Sequence, residues 1–327
     1  MGEAGAEAAE AGQVSPCAPR AALAPPGLAP RSAAQSAAVL LEAARRVAAL
    51  ALVDASLAVP RARPLCDAAL GALALRPSSG GPFVYYRPSR RASALLVLCH
   101  PSGGPSLCRS LAGLWEECLR EAGVEVRRLE LGGPEHFGLE STAELQAALT
   151  GRSAEGAASD RVRELQAQLE ESRFLIFVHP IFWFDVPSQL KGFQESVLSS
   201  GFAFRKLPGH WLLNRAAGVV ERLPVVRGVM RRYAAYGMLR DKHVFVTRTQ
   251  GGPSAGMGIF GHQATSLESS LQFCGAHLDA VDTVAEVDDT AEEAMAGRVL
   301  PAARRRMQEH CRVMASFAAE AAGCAAK

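Results

Sequence analysis

The sequence predicts an α/β domain over residues 92–318, a three-layer sandwich around a five-stranded parallel sheet in the order 2-1-3-4-5. Two observations predict it. Strand-like runs alternate with helix-like segments, and such alternation requires crossovers that cover both faces of a mostly parallel sheet. The clearest runs, residues 94–99 and 174–178, are also continuously apolar, as strands buried on both sides must be.

In chain order, residues 1–35 are mostly Ala, Pro, Gly and Glu without patterning and are predicted to be disordered. Residues 36–57 are predicted as a helix, because Val39, Leu40, Val47, Leu50 and Ala51 share one face. Pro60, Pro64, Pro77, Pro82 and Pro88 then punctuate an irregular arm, so residues 1–91 form an extension to the domain. The first strand (94–99) leads to a helix over 106–121, ended by Gly123, and a second strand over 124–131. A Gly- and Ser-rich stretch follows. Asp160 is placed to cap a helix over 160–172, which precedes the third strand at 174–178. The helix at 187–198 carries its proline near the start, where a missing N–H costs nothing. Residues 242–249 read as the fourth strand, 263–273 as a helix and 280–287 as the fifth strand. A long helix over 290–317, capped by Asp288 or Thr290, closes the domain before a tail at 319–327.

Composition narrows the function. A net charge of +2 over 327 residues is too small to make nucleic acid the main partner. The eight cysteines include no C-x-x-C pair, which argues against a zinc ribbon or disulfide framework and suits a reducing compartment. No apolar run reaches the ~18 residues that span a bilayer, and the acidic start, with Glu3, Glu7 and Glu10, does not read as a secretory signal. A soluble, cytoplasmic protein without a bound metal is expected.

The assumed strand order reverses between the first and third strands, and ligands of such sheets bind in the crevice beyond the carboxyl ends at that point. The unusual segments lie there. After the first strand comes His100-Pro-Ser-Gly-Gly-Pro-Ser106, with glycines, hydroxyls and a helix start suited to phosphate. An ordinary Gly/Ser-rich turn reads the same way. After the third strand comes His179-Pro-Ile-Phe-Trp-Phe184. Exposed aromatics are costly in apolar area and suit either the wall of a flat ligand site or a plug against a partner subunit.

The stretch His179-Pro-Ile-Phe-Trp-Phe-Asp-Val-Pro-Ser-Gln-Leu-Lys-Gly-Phe193, followed by Gly201-Phe-Ala-Phe204, resembles the NAD(P)H:quinone oxidoreductase family of flavodoxin-like flavoproteins. That family reads P-x-x-W-[FY]-x-x-P-x-x-L-K-G-[WF] and then G-[FW]-A-[YF]. Thr249-Gln-Gly-Gly-Pro253 resembles its third loop and Phe273-Cys-Gly275 its F-C-G. The resemblance implies two-electron reduction of a quinone by NADH or NADPH through a noncovalent flavin, FAD or alternatively FMN, in a ping-pong cycle within a homodimer. Azo- or nitroreduction, or a low-turnover flavin-binding regulatory role, are the alternatives on the same fold. By the same resemblance His100, Ser106, Leu107 and Cys108 meet the flavin phosphates. Pro180, Ile181, Phe182, Trp183 and Phe184 line the ring, with Trp183 also acting in catalysis, and Thr249, Gln250, Gly251 and Gly252 bond to the ring's polar edge.

The chain departs from the family in three places. Its first loop ends Ser106-Leu107-Cys108 where FAD-using members have Ser-Phe-Asn. A tyrosine beyond the paired glycines is replaced by Met257 or a neighbouring glycine, leaving His262 as either the catalytic group that stabilises the reduced flavin or a surface or helix-capping histidine. The third departure is an insertion over 205–240 with eight Lys/Arg against Glu221 alone, which suits a helical lid or a peripheral membrane contact. Cys99 and Cys274 read as buried small hydrophobes. Cys108, at a helix start, is expected to have a lowered thiol pKa.

Overall fold

A computed structural model describes residues 33–59, 91–132, 160–205, 236–253, 256–259, 264–287 and 292–325, with a few single positions between, Ser89 and His262 among them. The helices are α1 (Ala33–Ala58), α2 (Leu107–Glu121), α3 (Asp160–Glu171), α4 (Ser188–Val197), α5 (Gly256–Ile259), α6 (Ser266–Phe273) and α7 (Glu292–Ala325). The strands are β1 (Arg91–Cys99), β2 (Val126–Leu131), β3 (Ser172–Pro180), β4 (Phe204–Arg205), β5 (Tyr236–Gly237), β6 (His243–Thr249) and β7 (His277–Val284). The main sheet runs β2-β1-β3-β6-β7, all parallel, which is the expected 2-1-3-4-5 order once the small β4-β5 ribbon is set aside.

Each central strand feeds two cores because successive side chains point to opposite faces. From β1, Leu95, Val97 and Cys99 pack under Leu165 and Leu169 of α3, Leu190, Phe193 and Val197 of α4, and Leu267 and Leu271 of α6. Ala94, Leu96 and Leu98 pack against Leu111, Trp115 and Leu119 of α2 and Met307, Cys311 and Met314 of α7. Burying one Leu or Phe contributes about 1.5–3 kcal/mol, so a strand apolar on both faces stabilises both layers. Ser106 caps α2, its Oγ accepting Arg109 N–H at 3.3 Å, and Gly123 leaves the helix in the left-handed region at φ 73°. β3 extends beyond its predicted run at both ends, from Ser172 to Pro180, whereas β7 is displaced three residues toward the amino terminus, at His277–Val284, and β2 starts two residues late, at Val126. Conversely, α6 begins three residues later than predicted, because the Glu268 carboxylate accepts Thr265 N–H at 3.1 Å and fixes its start. The proposed caps of α7, Asp288 and Thr290, and the Gly/Ser-rich stretch of 133–159 lie outside the described residues.

The insertion leaves the domain at β4 and returns at β5, which pair antiparallel, so residues 206–235, outside the described residues, depart and return at one point. That point is tightly packed. A Cβ on Gly237 would stand 2.3 Å from the Cys274 carbonyl carbon, and Gly275, at φ 88°, ends α6. The glycine of the F-C-G motif is therefore explained by close backbone approach, a Cβ on Gly275 standing 3.1 Å from Gly237 Cα.

Three consecutive charged residues follow this ribbon, and all are buried. Arg240, with no solvent exposure, donates Nη1 to both carboxylate oxygens of Asp54 in α1, at 3.0 and 3.1 Å. Asp241 accepts Ser89 N–H at 2.5 Å. Lys242 Nζ donates to Ser89 Oγ at 2.7 Å, the Ser172 carbonyl at 2.8 Å and the Glu170 carbonyl at 3.1 Å, and burial pulls its ammonium down to about 8. The extension is thereby fastened to the amino-terminal edge of the sheet at two points.

Breaking a buried ion pair by deleting one partner costs about 3–5 kcal/mol, whereas replacing both with apolar groups of similar size costs far less. Asp54→Ala is therefore expected to lower stability by about that amount in urea denaturation, and Asp54→Leu with Arg240→Met to recover most of the loss. Equal destabilisation by the single and double variants would show that the pair is not what binds α1.

Candidate active site

Three loops meet at the carboxyl ends of β1, β3 and β6. The first, between β1 and α2, is held by its own polar groups. His100 Nδ1 accepts Ser102 N–H at 3.2 Å, and Ser102 Oγ accepts Gly104 N–H at 3.1 Å. Arg109 Nη2 donates to the Ser102 carbonyl at 3.3 Å. Gly132, at the end of β2, passes so close that a Cβ there would meet the His100 carbonyl oxygen at 2.3 Å. Leu107 and Cys108 turn their side chains into the α2 core, so toward a ligand they offer only main-chain N–H groups, which a helix start leaves without intrahelical acceptors. The expected drop in the Cys108 thiol pKa does not occur. Burial pushes the thiol up to about 11, against a Thr249 Oγ1 contact at 3.4 Å that acts the other way. Desolvation outweighs the helix start. The same contact ties the first loop to β6.

The second loop is a tight turn. Phe182 and Asp185 exchange both main-chain hydrogen bonds, at 2.9 and 3.0 Å, and the two residues between them have positive φ, 48° at Trp183 and 65° at Phe184. Two positive φ values form the pattern of a type I′ turn, usually filled by Asn and Gly. Aromatics here are strained, at roughly 1–2 kcal/mol per residue. Trp183 is 94% exposed and Phe182 45%, while Phe184 stacks on His262 with centroids 5.3 Å apart and planes 10° from parallel.

Asp185, which the motif reading passed over, anchors this turn. Its Oδ1 accepts Val186 N–H (2.8 Å), Ser266 N–H (2.9 Å) and Ser266 Oγ–H (2.8 Å), joining the loop to the start of α6. Burial alone would raise its pKa, but the Ser266 and Val186 donors and nearby Lys191 reverse this and hold the carboxylate below its ordinary value. The only sequence signal was an acid directly after three aromatics.

In the third loop the carbonyls of Gln250, Gly252 and Pro253 all accept hydrogen bonds. Gln250 Nε2 donates to the Gly252 carbonyl at 3.2 Å and to that of Pro253. Gln250 N–H donates to the Val284 carbonyl at 2.9 Å, and Glu286 N–H to that of Gly252 at 3.1 Å. Gly251 and Gly252 keep amides that make no main-chain bond among the described residues. A Cβ on Gly252 would meet nothing within 4 Å, so the chain faces open space at that residue. Ile181 N–H donates to the Thr249 carbonyl at 2.7 Å, which sets the second and third loops side by side. Met257 is buried in α5, and His262 N–H donates to its carbonyl at 2.9 Å.

Beneath the loops lies a buried polar layer absent from the motif reading. Arg248 donates to Glu268 at 2.5 Å and to Thr283 Oγ1 at 2.8 Å, and Glu268 also accepts Thr265 N–H at 3.1 Å. Beside it, His179 is completely buried, with Nδ1 2.9 Å from the Pro180 carbonyl and Nε2 without a partner among the described residues. Burial, seconded by the Arg248 charge, pushes its pKa down to about 4, so the imidazole is neutral near pH 7. No group of three or more His, Cys, Asp or Glu suited to a metal occurs among the described residues, and none of the described helices is long and apolar enough to cross a membrane.

The model of a family described as flavodoxin-like fold matches residues 92–311. This chain belongs to that family. Among curated proteins it is 34% identical over 96 residues to ribosyldihydronicotinamide dehydrogenase [quinone] of Homo sapiens, covering 29% of this chain and 41% of that protein. It is 27% identical over 188 residues to the FMN-dependent NADH:quinone oxidoreductase of Azospirillum brasilense, covering 54% and 77%. The chain thus spans about two fifths of the human protein and about three quarters of the bacterial one. Among solved structures it resembles an FMN-dependent NADH-azoreductase from Bacillus anthracis in complex with FMN, at a TM-score of 0.50 and 14% identity over 68% of this chain and 99% of that one. At that identity the likeness is one of fold.

Two outcomes follow from this flavodoxin-like geometry. Trp183→Asn places a residue that tolerates positive φ in the strained turn and is expected to raise stability by about 0.5–1 kcal/mol in urea denaturation; a lower midpoint would mean that the tryptophan ring itself supports the fold. His179 makes stability depend on acid. The unfolded imidazole binds a proton below its ordinary 6.5 and the folded one only near 4, so stability falls as pH drops through that window, by up to ~1.4 kcal/mol per unit. His179→Gln is expected to flatten the decline between pH 7 and pH 5. A slope identical to that of the parent protein would contradict the assignment.

Proposed function

We propose that this chain is a flavin-dependent NAD(P)H:quinone oxidoreductase that binds FMN. The observation that carries the reading is the strained Trp183-Phe184 turn, joined by the Ile181–Thr249 hydrogen bond to the loop that carries Gly251 and Gly252. A fold maintains bulky residues at positive φ where the position serves a purpose, and an aromatic edge beside two glycine amides that make no main-chain bond among the described residues fits a flat ring with a polar rim. Open space at Gly252 and at Gly103, where a Cβ would also meet nothing, leaves room for a ligand on both sides of the crevice.

The α2 start, with the amides of Leu107 and Cys108 and the Ser106 hydroxyl, holds the phosphate. Gly251 and Gly252 donate to the ring's polar edge, while Pro180 and Ile181 supply an apolar floor and Phe182, Trp183 and Phe184 an apolar wall. When bound, FMN would supply the redox chemistry, taking hydride from NADH or NADPH and passing two electrons to a quinone after the nicotinamide leaves. With Met257 buried in place of a phenol, His262, exposed and stacked on Phe184, is the group placed to balance negative charge on the reduced ring. The relative named as FMN-dependent supports FMN over the FAD that the motif resemblance implied. The core-facing side chains of Leu107 and Cys108, standing where FAD users carry Phe and Asn, support the same choice. A second copy of the chain closing over Trp183 completes the site as a homodimer.

The test is spectroscopic. Full-length protein is expected to be yellow, to release FMN on heating, to bleach with NADH or NADPH in stopped flow and to regain colour with menadione. Colourless protein that takes up neither FMN nor FAD overturns the reading.

A further inference from the structure

From the chain of charges beside the first loop we infer that Arg109 is the residue that selects a terminal phosphate, and that Glu130 competes with the ligand for it. The inference rests on the FMN reading and identifies the part of the ligand that Arg109 recognises. Residues 100–108 contain neither Lys nor Arg, so the loop has only amides, hydroxyls and His100 for an anion. Arg109, in the first turn of α2, is the next cation along the chain, and its guanidinium touches the loop at the Ser102 carbonyl, 3.3 Å away. The terminal phosphate of a mononucleotide carries nearly two negative charges at neutral pH, whereas each phosphorus of a pyrophosphate carries one. Amides at a helix start meet a single charge well; a second one calls for a cation at the same end of the helix.

The guanidinium is held in readiness rather than consumed by the fold. Its Nη1 donates to Glu130 Oε2 at 2.6 Å, and Glu130, second-last residue of β2, also accepts from Arg128 at 2.5 Å, while Arg128 stands 3.6 Å from Glu116. Glu130 therefore keeps a cationic partner when Arg109 turns to a ligand. The groups lie partly in solvent, where exchanging one carboxylate for a phosphate is inexpensive. Two arginines and two glutamates balance without a ligand, so a dianion near Ser102 is attracted by Arg109 and repelled by Glu130.

The test titrates full-length apoprotein with FMN and with riboflavin, which differ only in the phosphate, by flavin fluorescence. Arg109→Gln is expected to weaken FMN about tenfold or more, the worth of a charge-assisted hydrogen bond, and to leave riboflavin affinity unchanged. Glu130→Gln is expected to do the reverse, tightening FMN several-fold with riboflavin again unaffected. Because that variant gains affinity, a folding defect cannot imitate the result. Equal losses for both ligands in Arg109→Gln, or no gain in Glu130→Gln, overturn the role of Arg109 while leaving the flavin site in place. A parent protein that binds neither ligand overturns the FMN reading along with it.

Discussion

The crevice exists because a parallel strand cannot reach its neighbour through a tight turn. Each connection must cross one face of the sheet, and with a fixed right hand the direction of travel decides which face. From β1 the chain moves outward to β2 over the α2 face. From β3 it moves the opposite way to β6 over the α4 face. The loops leaving these adjacent strands must part, and the gap between them is where the first and second loops face each other. The aromatic turn and the helix start inherit their positions from this constraint.

Holding the aromatic turn in its unfavourable backbone state requires compensation, and the magnitudes show where it comes from. Two residues at positive φ cost roughly 1–2 kcal/mol each. Three hydrogen bonds to an ionised carboxylate contribute about 1.5–3 kcal/mol each, and Asp185 accepts three from Val186 and Ser266. The anchor outweighs the strain. It also couples the turn to α6, where Glu268 is shared between the Thr265 amide and the buried Arg248. Rim, helix start and polar layer thus form one connected set of bonds around the crevice.

Much of this was legible in the sequence because it depends on local pattern. Continuous apolar runs mark strands buried twice, Ser106 and Gly123 mark the ends of α2, and the run through Trp183 marks the loop where aromatics gather. What stayed hidden depends on distant partners. Nothing near Arg240 announces Asp54, which is separated from it by 186 positions. Asp185 looked like a connecting residue because its donors lie in α6. The thiol of Cys108 was misjudged for a related reason: its place at a helix start is visible in the sequence, but its enclosure by the core is a tertiary fact, and desolvation prevails. The same holds for α6, whose start is set by the bond from Thr265 N–H to the Glu268 carboxylate rather than by the onset of helical spacing.

The exposed tryptophan also gives the molecule an optical marker. Trp115 is sealed inside, its Nε1 donating to Thr247 and its ring stacked on His310, while Trp183 stands almost wholly in water. Indole emission shifts to longer wavelength in polar surroundings, so the interior and the rim report in different colours. With Trp211, which lies outside the described residues, changed to Phe, blue-edge emission follows the integrity of the sheet and red-edge emission follows whatever approaches the crevice.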